Sequence, residues 1–170
     1  MGHSYSHLFG TPMSFFRFFT VYGPWGRAAV ALFKFSRGII EGTLINICNN
    51  GDMVRDFTFV GDLAEAVVAL INAVPGKTAI AGDSFSPVAP FRIVNIGAGK
   101  PTQLLDYTAE IERAVGKPAV RNLLPKQPGD FPATEASHDL LKTLIGRALT
   151  TPLSIGMLEF GRWYRDYYSI

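Results

Sequence analysis

An alternating α/β fold is the class this sequence predicts, and three observations carry the prediction. Phe15 to Tyr22 and Phe91 to Ile96 are apolar or β-prone almost throughout and stop at glycine, the pattern of strands covered on both faces in a parallel sheet. Helical periodicity returns over Ala28 to Glu41 and over Gln103 to Val115, and each of these helices is stopped by a glycine. Between the two units lie two shorter β-prone runs separated by Asn49-Asn50-Gly51-Asp52, the signal for an antiparallel insertion.

Residues 3–9 read as the last turns of a helix, ended by Gly10 and Pro12. The strand from Phe15 runs into Tyr22-Gly-Pro-Trp-Gly-Arg27, a rigid exit with a cation behind it. Val30, Phe33 and Ile40 then recur at helical spacing up to Gly42. Leu44 to Cys48 and Arg55 to Val60 read as strands, and Asn50-Gly51 between them predicts a hairpin. Asp62 to Val74 is an amphipathic helix whose acidic start favours its dipole. Pro75 to Pro90, rich in Gly, Pro and Ser, is expected as a surface loop. After the second helix come a short strand over Ala119 to Leu124, an extended loop through Pro125 to Thr134, and a helix over Ser137 to Ile145. A final helix over Pro152 to Tyr168 carries proline in its first turn. Two long parallel strands make a poor sheet by themselves, and a helix tail opens the chain abruptly. The layout is therefore expected of the later part of a larger α/β protein.

The chain has 170 residues, 48% apolar and 18% charged, enough for one ordinary core and far from a disordered composition. A net charge of +2 with no block of Lys or Arg gives no reason to expect nucleic acid as a partner. No apolar run is long enough to span a bilayer, and the first ten residues lack the layout of a secretory signal. Cys48 is the only cysteine, which excludes an internal disulfide and fits a reducing compartment; a cytoplasmic location is the expectation.

His3 and His7 share a helix face at metal-ligand spacing, but Ser4 stands where the zincin motif needs Glu and no third ligand is near, so no metal is expected. Gly97-Ala-Gly-Lys-Pro-Thr102 resembles the tail of a phosphate-binding loop. Val94 stands where its first glycine belongs and Pro101 where its metal-holding hydroxyl belongs, which leaves a tight strand-to-helix connection. Arg27, Arg55 and Lys126 to Asp130 sit in settings stiffened by Gly and Pro, where loops hold functional groups. Converging guanidinium groups grip diphosphates and carboxylates through bidentate bonds. In the last helix Phe160, Trp163 and Tyr167 are expected to cover the core.

Four segments in order, "RFFTVYGPWGR", "NNGDMVRDFTFVGDL", "APFRIVNIGAGKPTQLLDY" and "QPGDFPAT" with the later "WYRDYY", resemble the C-terminal part of UDP-glucuronate 4-epimerases. These are nucleotide-sugar enzymes of the extended short-chain dehydrogenase/reductase superfamily. The resemblance implies the C-terminal part of a Rossmann-like doubly wound sheet plus a small α/β substrate-binding domain. It divides the chain into the end of the Rossmann domain (1–26), a substrate-domain helix and hairpin (27–60), a return to the Rossmann sheet (61–100) and a C-terminal substrate-binding domain (101–170).

The activity implied is conversion of UDP-glucuronate to UDP-galacturonate through a 4-keto sugar, with NAD holding the hydride and a Tyr-x-x-x-Lys pair moving the proton. A 4,6-dehydratase, a UDP-glucuronate decarboxylase or a non-catalytic UDP-sugar-binding remnant are the alternatives. Neither Tyr-x-x-x-Lys nor Gly-x-x-Gly-x-x-Gly occurs in the sequence, so the catalytic pair and most of the NAD site are expected upstream of Met1. The missing Rossmann half is thus an implied partner, alongside a homodimer of the full-length enzyme. By resemblance, Thr20, Arg27, Lys34, Arg37, Ile47, Arg55, Gln127 and Asp130 fall on the substrate side, and Phe18, Phe19 and Val21 against the nicotinamide. The sequence departs from the family at Ala28-Ala29-Val30, which replace Pro-Asp-Met, and at Cys48, which replaces an aromatic residue beside the nucleoside. Val54 and Gly61 replace polar or charged residues.

Overall fold

The computed structural model describes residues 1–76 and 80–170. Residues 77–79, within the loop expected over 75–90, lie outside the described residues. Helix α1 (Gly2–Phe9) ends on Gly10 in the left-handed conformation, φ 62°, a position that suits glycine. His3 Nε2 meets the Ser86 hydroxyl at 2.8 Å and His7 Nδ1 meets the Val88 carbonyl at 2.7 Å, so this histidine pair ties α1 to the loop after residue 80.

The stretch expected as one strand from Phe15 is two strands in two sheets. Strand β1 (Met13–Phe18) pairs in parallel with β5 (Phe91–Ile96) from Met13 opposite Phe91 to Phe18 opposite Ile96. The chain then steps across at Phe19, whose N–H donates to the Ile96 carbonyl at 3.3 Å. Strand β2 (Thr20–Tyr22) pairs in parallel with β4 (Val54–Phe59). The expected double-sided burial fails in β1, where Phe15 and Phe18 are exposed, because β1 has β5 as its one partner among the described residues. In β5 burial alternates, with Arg92, Val94 and Ile96 buried, whereas β4, expected only as a strand, is covered on both faces from Asp56 to Phe59.

Helix α2 (Ala31–Glu41) buries Leu32, Phe33, Phe35 and Ile39 and stops at Gly42, φ 69°. Strand β3 (Leu44–Ile47) follows, and the Asn-Asn-Gly turn corrects the hairpin expectation. Asn49 and Asn50, both at φ 51°, and Gly51, at φ 84°, form a tight left-handed turn that does not return β4 beside β3. Strand β3 instead pairs in parallel with β7 (Val120–Leu123), and β4 pairs antiparallel with β6 (Pro101–Gln103). Among the described residues the strand order is therefore β1-β5, β2-β4-β6 and β3-β7 in three small sheets.

Helix α3 (Val60–Leu70) starts directly at the end of β4, two residues before the expected Asp62. Helix α4 (Leu104–Val115) ends on Gly116 at φ 81°. Among the described residues two apolar clusters result. The larger is built from α2, β3, β4, α4 and α6 (Leu153–Tyr168) around Ile47, Ile111, Met157 and Phe160. The smaller joins Ala66 and Leu70 of α3, Val94 and Ile96 of β5, and Leu141 of α5 (Asp139–Ile145). Helix α5 therefore packs with β5, although 101–170 was expected to form one unit.

Along α6, Met157, Phe160 and Tyr164 face the core at helical spacing. Tyr167, expected beside them, lies outside, 56% exposed, and stacks on Trp163 at 5.1 Å with Trp25 edge-on at 5.5 Å. Trp25, at φ 61°, brings its ring to this surface from the Gly-Pro-Trp-Gly turn.

Candidate ligand-binding cavity

The start of β2, the first half of β4, the first turn of α2 and the exit of β3 enclose an open cavity of about 520 Å3, within the range of small-molecule sites. Its floor is apolar: Phe57 of β4 and Tyr107 of α4 stack beneath it, and Met53 and Leu104 flank them. Polar groups enter from separate elements. Thr20 opens β2, Lys34 stands one turn into α2, Arg55 sits on β4, and Asp130 reaches in from the loop before α5. Alternation along β4 separates these roles, because Arg55 and Phe57 face the cavity while Asp56 between them points to the opposite side.

Arg55 is half-buried and held: its Nη1 donates to the Val54 carbonyl at 2.8 Å and to the Pro132 carbonyl at 3.4 Å. The wall on the Asp130 side is a strap pinned at both ends. Leu124 N–H donates to the Ile47 carbonyl at 2.9 Å at one end, and Val54 N–H donates to the Pro132 carbonyl at 2.8 Å at the other.

Of the residues expected on the substrate side, Thr20, Lys34, Arg55 and Asp130 line this cavity. Ile47 is fully buried in the larger cluster, directly before Cys48, which lines the cavity with Asn46. Arg27 and Gln127 are exposed outside the lining, and the Gln127 amide donates to the Pro125 carbonyl at 3.2 Å. Arg37, one turn beyond Lys34, pairs instead with Glu41 at 2.7 Å on the surface of α2. Among the nicotinamide-side residues Phe19 and Val21 line the cavity, while Phe18 is exposed at the end of β1. Met53, Leu104 and Tyr107 escaped the sequence reading, because a floor residue carries no motif; α4's periodicity gave its buried face but not what that face meets.

The Gly97 to Gly99 turn cradles an anion that the chain itself supplies. Ala98 N–H donates to Asp56 Oδ1 at 3.1 Å and Gly99 N–H to Asp56 Oδ2 at 3.0 Å. These donors are spent, which is the physical reason this turn is not a phosphate loop. Among the described residues, no three His, Cys, Asp or Glu side chains gather to hold a metal, and no helix is long and apolar enough to cross a membrane.

Parallel strand pairs under helices, with an open cavity at the exits of β1 and β3, define an α/β protein of the doubly wound, Rossmann-like class. The chain belongs to the NAD dependent epimerase/dehydratase family, whose family model matches residues 1–97. A probable UDP-glucuronate 4-epimerase of Rhizobium meliloti is 46% identical over 99% of the chain and 51% of its own length. UDP-glucuronate 4-epimerase 4 of Arabidopsis thaliana is 37% identical, over 99% of the chain and 39% of its own length. The Bacillus cereus UDP-glucuronic acid 4-epimerase, solved in complex with UDP-glucuronic acid and NAD, superposes with a TM-score of 0.80 at 28% identity, over 98% of the chain and 49% of that protein. The chain spans about half the length of the first relatives it matches.

Proposed function

We propose that this chain supplies the UDP-sugar-binding part of an NAD-dependent UDP-glucuronate 4-epimerase. The observation that carries the reading is the cavity itself: Lys34 and Arg55 stand over an apolar aromatic floor, the combination that suits a diphosphate attached to a flat base and a sugar. In this reading Lys34 and Arg55 hold the diphosphate, Thr20 hydrogen-bonds the sugar, Asn46 and Cys48 border the base, and Asp130 closes the strap. Arg27, Arg37 and Gln127 lie outside the lining and serve at its approach.

For NAD, the residues present fit one wall. Phe18, Phe19 and Val21 mark the exit of β1 and the start of β2, where α/β sheets receive ligands, whereas the glycine turn after β5 is already filled by Asp56. Bound NAD would accept and return the hydride of the 4-position. The chain's own residues bind and orient the sugar nucleotide and keep water from its apolar side. No Tyr-x-x-x-Lys pair occurs among the 170 residues, so the reading assigns the proton transfer to a complementary Rossmann half seated on the edge of β1 that has no strand partner among the described residues.

Calorimetric titration tests the reading. UDP and UDP-glucuronate are expected to bind saturably, with affinity lost at least tenfold in Lys34→Ala and in Arg55→Ala. Incubation with UDP-glucuronate and NAD is expected to yield no UDP-galacturonate. Absence of UDP binding overturns the binding role, and turnover by the chain alone overturns the assignment of proton transfer elsewhere.

A further inference from the structure

Asp56 is fully buried and takes part in no ion pair among the described residues. A buried carboxylate survives only where hydrogen bonds replace water. Here the donors are backbone N–H groups from two separate loops: Ala98 at 3.1 Å and Gly99 at 3.0 Å after β5, and Ala136 at 3.2 Å after the strap. The approach is close. A Cβ added at Gly97 would stand 2.7 Å from Asp56 Oδ2 and would overlap the Ala136 methyl. The Asp56 backbone extends the link, donating its N–H to the Thr134 carbonyl at 3.1 Å, while Thr134 N–H donates to the Val54 carbonyl at 3.1 Å.

We infer that Asp56 is a positioning residue that sets the cation-bearing wall of the cavity by clamping the strap and the β5 exit onto β4. The path is short. Asp56 fixes Ala136 and Thr134, their strand-like run fixes Pro132, and the Pro132 carbonyl holds the Arg55 guanidinium. Arg55 and Phe57, the sequence neighbours of Asp56, both line the cavity, so any displacement of the clamp turns cavity side chains on the same strand. The clamp also joins the cavity to β5, the partner of β1, and hence to the strand end assigned above to the nicotinamide side. This inference rests on the nucleotide-binding reading for its ligand and on the geometry alone for the clamp.

Asp56→Asn keeps the shape but puts an NH2 where one carboxylate oxygen accepted, so either Ala98 or the Gly99 and Ala136 pair faces a donor. In this variant the Thr134 and Ala136 amides are expected to exchange hydrogen at least tenfold faster, with Ile111 and Leu32 in the larger core unchanged. UDP affinity per folded molecule is expected to fall at least tenfold. Gly97→Ala, which crowds the carboxylate without altering its charge, is expected to give the same selective loss. Uniform acceleration across the core, or unchanged UDP affinity in a folded variant, overturns the inference, whereas Ile111→Val is expected to lower thermal stability without touching affinity.

The unaltered chain gives a reading that needs no variant. Ala98, Gly99 and Ala136 amides are expected to share one protection, at least tenfold above Gly129 and Asp130 in the strap. Ala136 exchanging at the rate of Gly129 overturns the clamp. Failure of the unaltered chain to bind UDP removes the nucleotide reading, and these exchange rates still decide the clamp.

Discussion

Phe57 and Tyr107 lie face to face with centroids 3.8 Å apart and planes 11° from parallel, joining β4 to α4 under the cavity. Tyr107 is 2% exposed and Phe57 9%, so the stack is both floor and core. Removing a buried aromatic ring costs about 3–5 kcal/mol through lost transfer energy and the cavity left behind. Tyr107→Ala is expected to lose that much in urea unfolding. A loss under about 1 kcal/mol would show that the stack carries no core.

Tyr22 places a buried hydroxyl where no partner among the described residues meets it, beside Gly156 of α6. A buried unsatisfied hydroxyl costs about 1–3 kcal/mol, and deleting it without changing the ring removes that cost. Tyr22→Phe is expected to raise the melting temperature, and a lowered one would reveal a hidden partner.

Burial pushes the Tyr22 phenol above its ordinary value of 10.0, with the charges of Asp62, Glu159 and Glu110 adding to the shift; Tyr107 is raised by burial and then by Tyr22. Both phenols stay protonated in the folded chain at a pH where the unfolded chain releases its protons. Their contribution is whole below the unfolded value and is lost as pH rises above about 10. Melting temperature is expected to fall between pH 9 and 11, less steeply in Tyr22→Phe. An equal slope in both proteins would refute the assignment.

Arg92 and Asp83 form a buried two-pronged pair at 2.7 and 2.9 Å, with 4% and 0% of their side chains exposed, and Arg92 Nη1 also donates to the Ala73 carbonyl at 3.2 Å. The pair holds the loop before β5 onto α3's end. Arg92→Met strands a buried carboxylate and is expected to cost about 3–5 kcal/mol, whereas Arg92→Met with Asp83→Leu is expected to regain most of it. Equal losses in the single and double variants would mean that the loop depends on packing instead.

The parts of the fold legible in the sequence are those with local causes. Gly10, Gly42, Gly116 and Gly146 each end a helix in the left-handed conformation, and each helix stopped where glycine stood. The pairing of strands has no such local cause. Asn50-Gly51 reads as a hairpin turn, yet the three successive positive φ angles at Asn49, Asn50 and Gly51 carry β4 away to β2, where Phe57 and Phe59 join the larger apolar cluster. The split at Phe19 is equally silent, since β1 and β2 are both β-prone and differ only in their partners. For the cavity, cations on rigid elements were legible and their aim was not. Lys34 and Arg37 are one turn apart on α2, but Arg37 meets Glu41 at i+4 and turns to the surface.

Cys48 gives the cavity its own reporter. It is the only cysteine, half-buried, and borders the proposed base position. A thiol in an open cavity reacts with a reagent such as Ellman's at a rate set by access and by its thiolate fraction. Saturating UDP is expected to slow this reaction at least tenfold, with half-protection at the dissociation constant found by titration. Uridine, which lacks the phosphates for Lys34 and Arg55, is expected to protect only at far higher concentration. A modification rate indifferent to UDP, in a chain that binds it, would move the nucleotide out of this cavity, because a base seated between Asn46 and the Phe57–Tyr107 floor cannot leave the thiol open.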